Sequence, residues 1–65
     1  MLTMSGTTPN GDVYTNIVHA DVPTAREAMF RGFKYAANWK AMSLVLNGNP
    51  IASLYRDFSG APVWR

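Results

Sequence analysis

The hydrophobic pattern of the chain changes period twice, and its most regular part runs from Thr24 to Met42. Apolar residues recur there with the spacing of an α-helix. Thr24 and Glu27 have the S/T-x-x-E spacing of a capping box, which predicts that the helix begins at Thr24. Gly32 costs about 1 kcal/mol relative to alanine in a helix, so we expect it to lie close to a sheet. The predicted helix covers residues 24–41.

The apolar part of this helix is wider than the stripe of about 100° that a surface helix usually buries. A polar stripe holds Glu27, Arg31, Lys34 and Asn38. One apolar flank consists of Met29, Phe30, Phe33, Ala36 and Ala37. The other consists of Ala28, Gly32, Tyr35 and Trp39. Two interpretations remain open: the small protein encloses both flanks, or the Tyr35/Trp39 flank faces a partner or a second copy.

Residues 1–20 have the alternation of a β-hairpin. Asn10-Gly11 favours a two-residue type I′ turn, because both central residues of that turn need positive φ. This turn predicts that Thr8 lies opposite Val13 and Met4 opposite Ile17. One face of the hairpin then collects Leu2, Met4, Val13 and Ile17, and the other collects Thr3, Ser5, Thr7, Tyr14, Asn16 and Val18.

Residues 42–58 predict a second hairpin around Asn47-Gly48. In one register Leu44 lies opposite Ile51, and a shift of the turn by one residue places Leu46 opposite Ile51 instead. Pro50 has no N–H to donate, so it belongs beside the turn or on an edge. Residues 59–65 are a tail whose Trp64 either folds back over the core or stays free as an anchor.

These elements predict one α+β domain over residues 1–65. A small antiparallel sheet, with the order ββαββ or βαββ, carries one amphipathic helix packed on one face. A chain of 65 residues with 48% hydrophobic and 15% charged residues is expected to fold. It has no cysteine and no apolar run long enough to cross a membrane, so a cytoplasmic protein is expected.

The net charge of +2 is unevenly distributed. Arg26, Arg31, Lys34 and Lys40, with only Glu27 against them, make the helix basic. The excess fits a solvated helix face, and it also fits a face that contacts phosphates or an acidic partner.

No motif for catalysis, phosphate binding or metal binding occurs in the sequence. His19 lies at the end of a predicted strand without an orienting acid or further ligands, so we expect a structural or half-exposed histidine. We therefore predict no catalytic residue, no metal and no cofactor, and a function other than that of an enzyme.

Binding is the remaining function. Tyrosine, tryptophan and arginine dominate the energetics of protein interfaces, and they are frequent here for so short a chain. The predicted partner-binding residues are Arg31, Lys34, Tyr35, Asn38, Trp39, Tyr55, Arg56 and Trp64. The partner in the leading hypothesis is a larger protein or ribonucleoprotein complex. In a second hypothesis Tyr14 and Tyr55 stack on single-stranded nucleic acid while the basic helix follows its phosphates. A third is a homodimer through the apolar helix flank.

A basic, alanine-rich amphipathic helix (AREAMFRGFKYAANW) followed by a strand–NG–strand unit (MSLVLNGNPIASLYRDF) resembles small phage- or mobile-element-encoded inhibitors. The anti-CRISPR proteins are similar in size and layout. This resemblance implies a stoichiometric inhibitor that blocks a nucleic-acid-processing complex in the cytoplasm of the host cell. It carries no site residues over, and the basic charge argues against mimicry of nucleic acid.

Overall fold

A computed structural model describes residues 1–36 and 38–65 of the chain. One helix and five strands follow one another as β1 (Leu2–Thr7), β2 (Val13–Ile17), α1 (Val22–Tyr35), β3 (Ala41–Leu46), β4 (Asn49–Arg56) and β5 (Pro62–Trp64). All strand pairs are antiparallel, and the sheet order is β2-β1-β3-β4-β5. The helix covers one face of this sheet, and the predicted α+β fold is confirmed.

The core lies between α1 and the three central strands. Helix residues Ala25, Met29 and Phe33 are four apart, so they form one narrow buried stripe. They pack on strand residues that share the same face of the sheet: Leu2, Met42, Leu44, Ala52 and Leu54. Met29 and Phe33 of the first predicted flank are therefore in the core, together with Ala25, which was not assigned to either flank.

The helix begins earlier than predicted. Asp21, and not Thr24, is the N-cap: its carboxylate accepts a hydrogen bond from the Thr24 N–H at 3.2 Å. Pro23 lies in the first turn, where its missing N–H would have had no helical partner. Glu27 pairs with Arg31 one turn later instead of closing a capping box.

The helix also ends earlier than predicted, at Tyr35, with Ala36 as its C-cap. Asn38 and Trp39 consequently lie outside the helix, in the connection to β3. The prediction that Ala37 belongs to the buried flank falls outside the described residues. Tyr35 and Trp39 thus do not form one helical flank, and the flank that stays exposed consists of Ala28, Gly32 and Tyr35.

The close backbone approach predicted at Gly32 occurs instead at Gly6. Apart from its own turns of helix, a Cβ atom added at Gly32 would meet no atom within 4 Å, so the expected close approach to the sheet is wrong. A Cβ atom added at Gly6 in β1 would lie 2.6 Å from Cζ3 of Trp39. The close approach in this fold is therefore that of the Trp39 ring to the backbone of β1.

The first hairpin is shifted by one residue from the predicted register. Pairs such as Thr7–Val13 and Thr3–Ile17 replace Thr8–Val13 and Met4–Ile17. The Gly11 N–H donates to the Thr8 carbonyl and the Thr8 N–H to the Asp12 carbonyl, which encloses a three-residue loop with Gly11 at φ 90°. In the predicted two-residue turn the residue at position 9 would donate its N–H to Asp12, but proline has no N–H. Proline also favours the second position of a type I turn, so Pro9 selects this longer loop.

The register shift exchanges the faces of β2. Tyr14 now shares the helix side of the sheet with Gly6 and Met42. Val13 and Ile17 lie on the opposite side, which no helix covers in the described part of the chain. The predicted face of Leu2, Met4, Val13 and Ile17 is therefore wrong in its β2 half.

The second hairpin turns at Asn47-Gly48, as predicted, with φ of 51° and 84°. Next to the turn Val45 pairs with Pro50, but Leu44 pairs with Ala52, so Ile51 is the extra residue of a β-bulge. Without this bulge Leu44 would face Ile51, and Ser53 would replace Leu54 inside the core. The bulge allows the turn to stay at Asn47-Gly48 while Ala52 and Leu54 face the core. Neither predicted register is therefore correct throughout.

The predicted tail holds a strand. β5 pairs with β4 through Leu54–Trp64, Tyr55–Val63 and Arg56–Pro62. At the other end of the chain, β1 pairs on both sides, with β2 and with β3. The sheet therefore has the four strands of the ββαββ alternative and a fifth from the tail.

Candidate binding surface

Trp64 is brought onto the helix by β5. Its pairing with the buried Leu54 directs it to the helix side of the sheet, where its ring stacks on Phe30 with centroids 5.9 Å apart. The guanidinium carbon of Arg26 lies 4.6 Å from the Trp64 ring centroid. Trp64 is therefore not free: it folds back onto the helix, as the first of the two sequence alternatives had it, and it remains 36% exposed.

A shallow depression of about 380 Å³ lies beside this stack, between the first turns of α1 and β5. Its lining combines apolar side chains, those of Pro23, Phe30 and Trp64, with the charged side chains of Arg26 and Glu27. Interface anchors commonly combine aromatic and polar side chains in this way.

The surface continues along α1 towards its C-terminal end. Arg31 forms a 2.8 Å ion pair with Glu27, and the Lys34 ammonium lies 5.5 Å from the ring centroid of Tyr35. Tyr35 itself is 77% exposed. We call this region the cationic surface, and it comprises Arg26, Glu27, Phe30, Arg31, Lys34, Tyr35 and Trp64.

Charge on the cationic surface is positive, because Arg26, Arg31 and Lys34 stand against Glu27 alone. The Glu27–Arg31 pair is exposed and contributes little to stability. Four predicted partner-binding residues, Arg31, Lys34, Tyr35 and Trp64, therefore share one side of the molecule.

Arg56 has a structural position, which its selection as a binding residue did not anticipate. Its guanidinium donates hydrogen bonds of 2.8 to 3.1 Å to four carbonyl oxygens, those of Phe33, Ala36, Trp39 and Gly60. It also lies 4.1 Å from the Phe33 ring centroid. Phe33 and Ala36 are at the helix end, where carbonyls lack helical donors, so Arg56 closes that end. We call Phe33, Ala36, Trp39, Arg56 and Gly60 the closed corner.

Trp39 is likewise part of the packing. It is partly buried over Gly6, and its ring meets the Tyr14 ring edge-on with centroids 5.8 Å apart. Asn38 is exposed and lines a hollow with Trp39 and Tyr14. These residues lie towards the β2 edge, away from the α1–β5 side.

Tyr55 lies on the face of the sheet opposite α1. It pairs with Ala41 and Val63, and the Arg65 guanidinium carbon lies 5.3 Å from its ring centroid. Because Tyr14 is on the helix side, Tyr14 and Tyr55 do not form a common stacking platform. That element of the nucleic-acid hypothesis is wrong.

Phe30 and Phe58 were not selected from the sequence, and Arg26 was named only as part of the basic helix. The partly buried Phe30 joins the cationic surface because β5 returns Trp64 to the helix, and no local signal marks that return. Phe58 is fully exposed in the turn between β4 and β5. Arg56 bonds to Gly60 in this turn and to Phe33 at the helix end, so the turn that carries Phe58 lies near the C-terminal end of α1.

Asp57 fixes the turn that carries Phe58. Its Oδ1 accepts hydrogen bonds from the Ser59 hydroxyl, the Ser59 N–H and the Ala61 N–H, at 2.6, 2.9 and 2.9 Å. These bonds, led by that of the Ser59 hydroxyl, lower the pKa of Asp57 below its ordinary value. The exposed phenyl ring therefore stands on an ordered turn.

His19 is exposed and follows β2. Within residues 1–36 and 38–65, no group of three or more histidine, cysteine or acidic side chains is placed to hold a metal ion. In the same ranges, no helix combines the length and the apolarity of a bilayer span. Comparison of the chain with protein-family models, curated proteins and solved structures gives no match.

Proposed function

We propose that this chain is a small non-catalytic binding protein that attaches through its cationic surface to an acidic surface of a larger protein or ribonucleoprotein complex. The observation that carries this proposal is the Arg26–Trp64–Phe30 stack, which continues into Arg31, Lys34 and Tyr35. Partly exposed aromatic rings supply contact area, and the cations around them favour an acidic partner.

The mode of action that we propose is stoichiometric blocking of a nucleic-acid-processing complex in the cytoplasm. The support for it is the similarity of the sequence in size and layout to anti-CRISPR proteins. A basic surface suits the acidic parts of such a complex, whereas an inhibitor that imitates nucleic acid needs negative charge.

Single-stranded nucleic acid is the second candidate, and the cations on successive turns of α1 favour it. Its support is weaker, because Trp64 is stacked on Phe30 and covered by Arg26, which leaves less ring face for a base. Binding of this kind would weaken steeply with rising salt.

Affinity capture from a bacterial lysate, with and without nuclease, tests the proposal. The bait variant Arg26→Glu/Arg31→Glu should lose the partners that the wild-type chain retains, because it reverses two charges of the cationic surface. Lys40→Glu/Arg65→Glu is the matched control, since it reverses two cations away from α1 and should retain them.

The outcome separates the two candidates. Partners that survive nuclease support a protein surface, and their loss with nuclease supports nucleic acid. Equal recovery by the two charge-reversed baits would refute the cationic surface as the binding site. The purified chain is then titrated into an activity assay of the captured complex. One equivalent of the chain per complex should abolish the activity, and full activity with the chain in excess would refute inhibition.

A further inference from the structure

The two edges of the sheet leave very different numbers of backbone groups open. The Val18 N–H donates to Leu2 and the Asp12 carbonyl accepts from Thr8, so the even-numbered residues of β2 point their backbone groups at β1. The N–H and C=O groups of Val13, Thr15 and Ile17 therefore point outward. In the described part of the chain no strand pairs with them.

The opposite edge, β5, is almost closed to pairing. Ala61 and Arg65 bond to β4, so the outward-pointing residues are Pro62 and Trp64. Proline has no N–H, which leaves the Trp64 N–H as the one outward donor of this three-residue strand. A short edge with a proline is a common protection against unwanted strand pairing.

β2 has no such protection. Its five residues, VYTNI, include no charge and no proline, and its pairing with β1 has no bulge. Val13, Tyr14 and Ile17 are 65, 54 and 56% exposed. An edge of this kind is a template for another strand.

We propose that β2 pairs antiparallel with β2 of a second copy of the chain, around a two-fold axis at Thr15. Val13 of each copy then lies opposite Ile17 of the other, and Thr15 lies opposite Thr15. In this register every outward backbone group of one copy meets a group of the other. Each copy contributes three N–H donors and three C=O acceptors, so the two strands form six hydrogen bonds. A shift by two residues leaves one outward residue of each copy unpaired.

The side chains agree with this register. On the uncovered side of the sheet, two Val13–Ile17 pairs flank the central threonines, and such aliphatic and threonine pairs stabilise neighbouring strands. On the helix side, Tyr14 lies opposite Asn16 of the second copy. No charged residue of β2 meets its own copy at the axis.

The resulting dimer has one continuous ten-stranded sheet, from two sheets of five, with both helices on the same side. The cationic surface lies at the β5 side and stays accessible on each copy, so this inference does not rest on the proposed function. Two five-residue strands bury less than the roughly 800 Å² per partner of a standard interface. We therefore expect dissociation in the micromolar range.

Sedimentation equilibrium of the whole chain tests the proposal. The wild-type chain should show a monomer–dimer equilibrium. Val13→Lys/Ile17→Lys and Val13→Glu/Ile17→Glu should each be monomeric at the concentrations where the wild-type chain dimerises, because like charges meet in both pairs. An equimolar mixture of the lysine and glutamate double variants should form a heterodimer, since each lysine ammonium then faces a glutamate carboxylate.

Two further variants guard against other causes. Ile51→Lys/Val63→Lys places two lysines on exposed positions of β4 and β5, at the opposite edge of the sheet from β2. This variant should dimerise like the wild-type chain. Thr15→Pro removes a central outward N–H that has no partner in β1, together with the exposed 3.1 Å hydrogen bond between the Thr15 and Ser5 hydroxyls. It should be monomeric, with an unchanged circular dichroism spectrum that shows the fold is kept. A wild-type chain that is monomeric up to millimolar concentration, or a mixture without heterodimer, overturns the proposal.

Discussion

The closed corner and the cationic surface both place an arginine over an aromatic ring, but the two arginines have different surroundings. Arg56 lies over Phe33 and donates to four carbonyl oxygens, whereas Arg26 lies over Trp64 and faces solvent. Backbone carbonyls are obligatory acceptors, so Arg56 holds three chain segments together. Arg26 has no such task, and its charge is available to a partner.

The largest expected difference between the two regions is in stability. Arg56→Met leaves four carbonyls without their donor and should lower the free energy of unfolding by about 3 kcal/mol or more. Arg56→Lys should also destabilise, because an ammonium does not reproduce the fork of donors. Arg26→Met should cost about 1 kcal/mol or less, the usual range of an exposed cation–π contact.

Urea denaturation followed by circular dichroism measures both effects. A loss of similar size in Arg26→Met and Arg56→Met would show that the two regions do not differ in this way.

Alanine substitutions at Gly6 and Gly32 should change the free energy of unfolding by smaller amounts and in opposite directions. Gly6→Ala should destabilise by about 1–3 kcal/mol, because the new methyl group requires the Trp39 ring to move away from β1. Gly32→Ala meets open space within the helix and should stabilise by about 0.5–1 kcal/mol.

Thermal denaturation of the two alanine variants checks the signs, with tryptophan fluorescence as a second readout at Gly6→Ala. If Gly32→Ala were destabilising, the exposed side of α1 would not be as open as described.

The smallest contrast concerns acid stability. Hydrogen bonds hold the pKa of Asp57, in the turn tied to the closed corner, below its ordinary value, and hydrogen bonding from Thr24 does the same for Asp21 at the other end of α1. A depressed carboxyl pKa stabilises the fold above the ordinary pKa of about 3.9, and this contribution is lost as pH falls through the folded value. Asp57→Asn should therefore be less stable than the wild-type chain at neutral pH.

The difference between Asp57→Asn and the wild-type chain should shrink below pH of about 4. Urea midpoints measured across this range test it, and a difference that is independent of pH would contradict the role of the ionised carboxylate. Asp21→Asn is the matched variant at the N-cap.

The sequence predicted the elements better than their boundaries. Helical periodicity and the two Asn-Gly pairs placed one helix and two hairpins correctly, since these signals are local. The helix ends were misplaced because Asp21 competes with Thr24 for the cap, and because the residues after Tyr35 are held by Arg56 from a distant strand. Pro9 was the local signal that could have corrected the first register.

Apart from Trp64, the residues selected from the sequence that lie on the cationic surface are helix residues. Arg31, Lys34 and Tyr35 follow from the helical pattern, and the structure places them on the exposed side. Arg56 could not be recognised as structural, because its four acceptors lie in three segments that the fold brings together. Arg26 was named from the sequence as part of the basic helix, but its stacking on Trp64 and the place of Phe30 beside it depend on the return of Trp64, which is a tertiary contact with no local sequence signal.

The central position of β1 has a consequence for the rate of folding. Its pairing with β2 closes a short loop, but its pairing with β3 joins Leu2 to Leu46 and Thr7 to Ala41, which are far apart in the chain. Non-local pairing of this kind is slow compared with hairpin or helix formation, because the entropy of closing a long loop is lost before the new contacts stabilise the chain. We therefore expect the pairing of β1 with β3 to limit the folding rate.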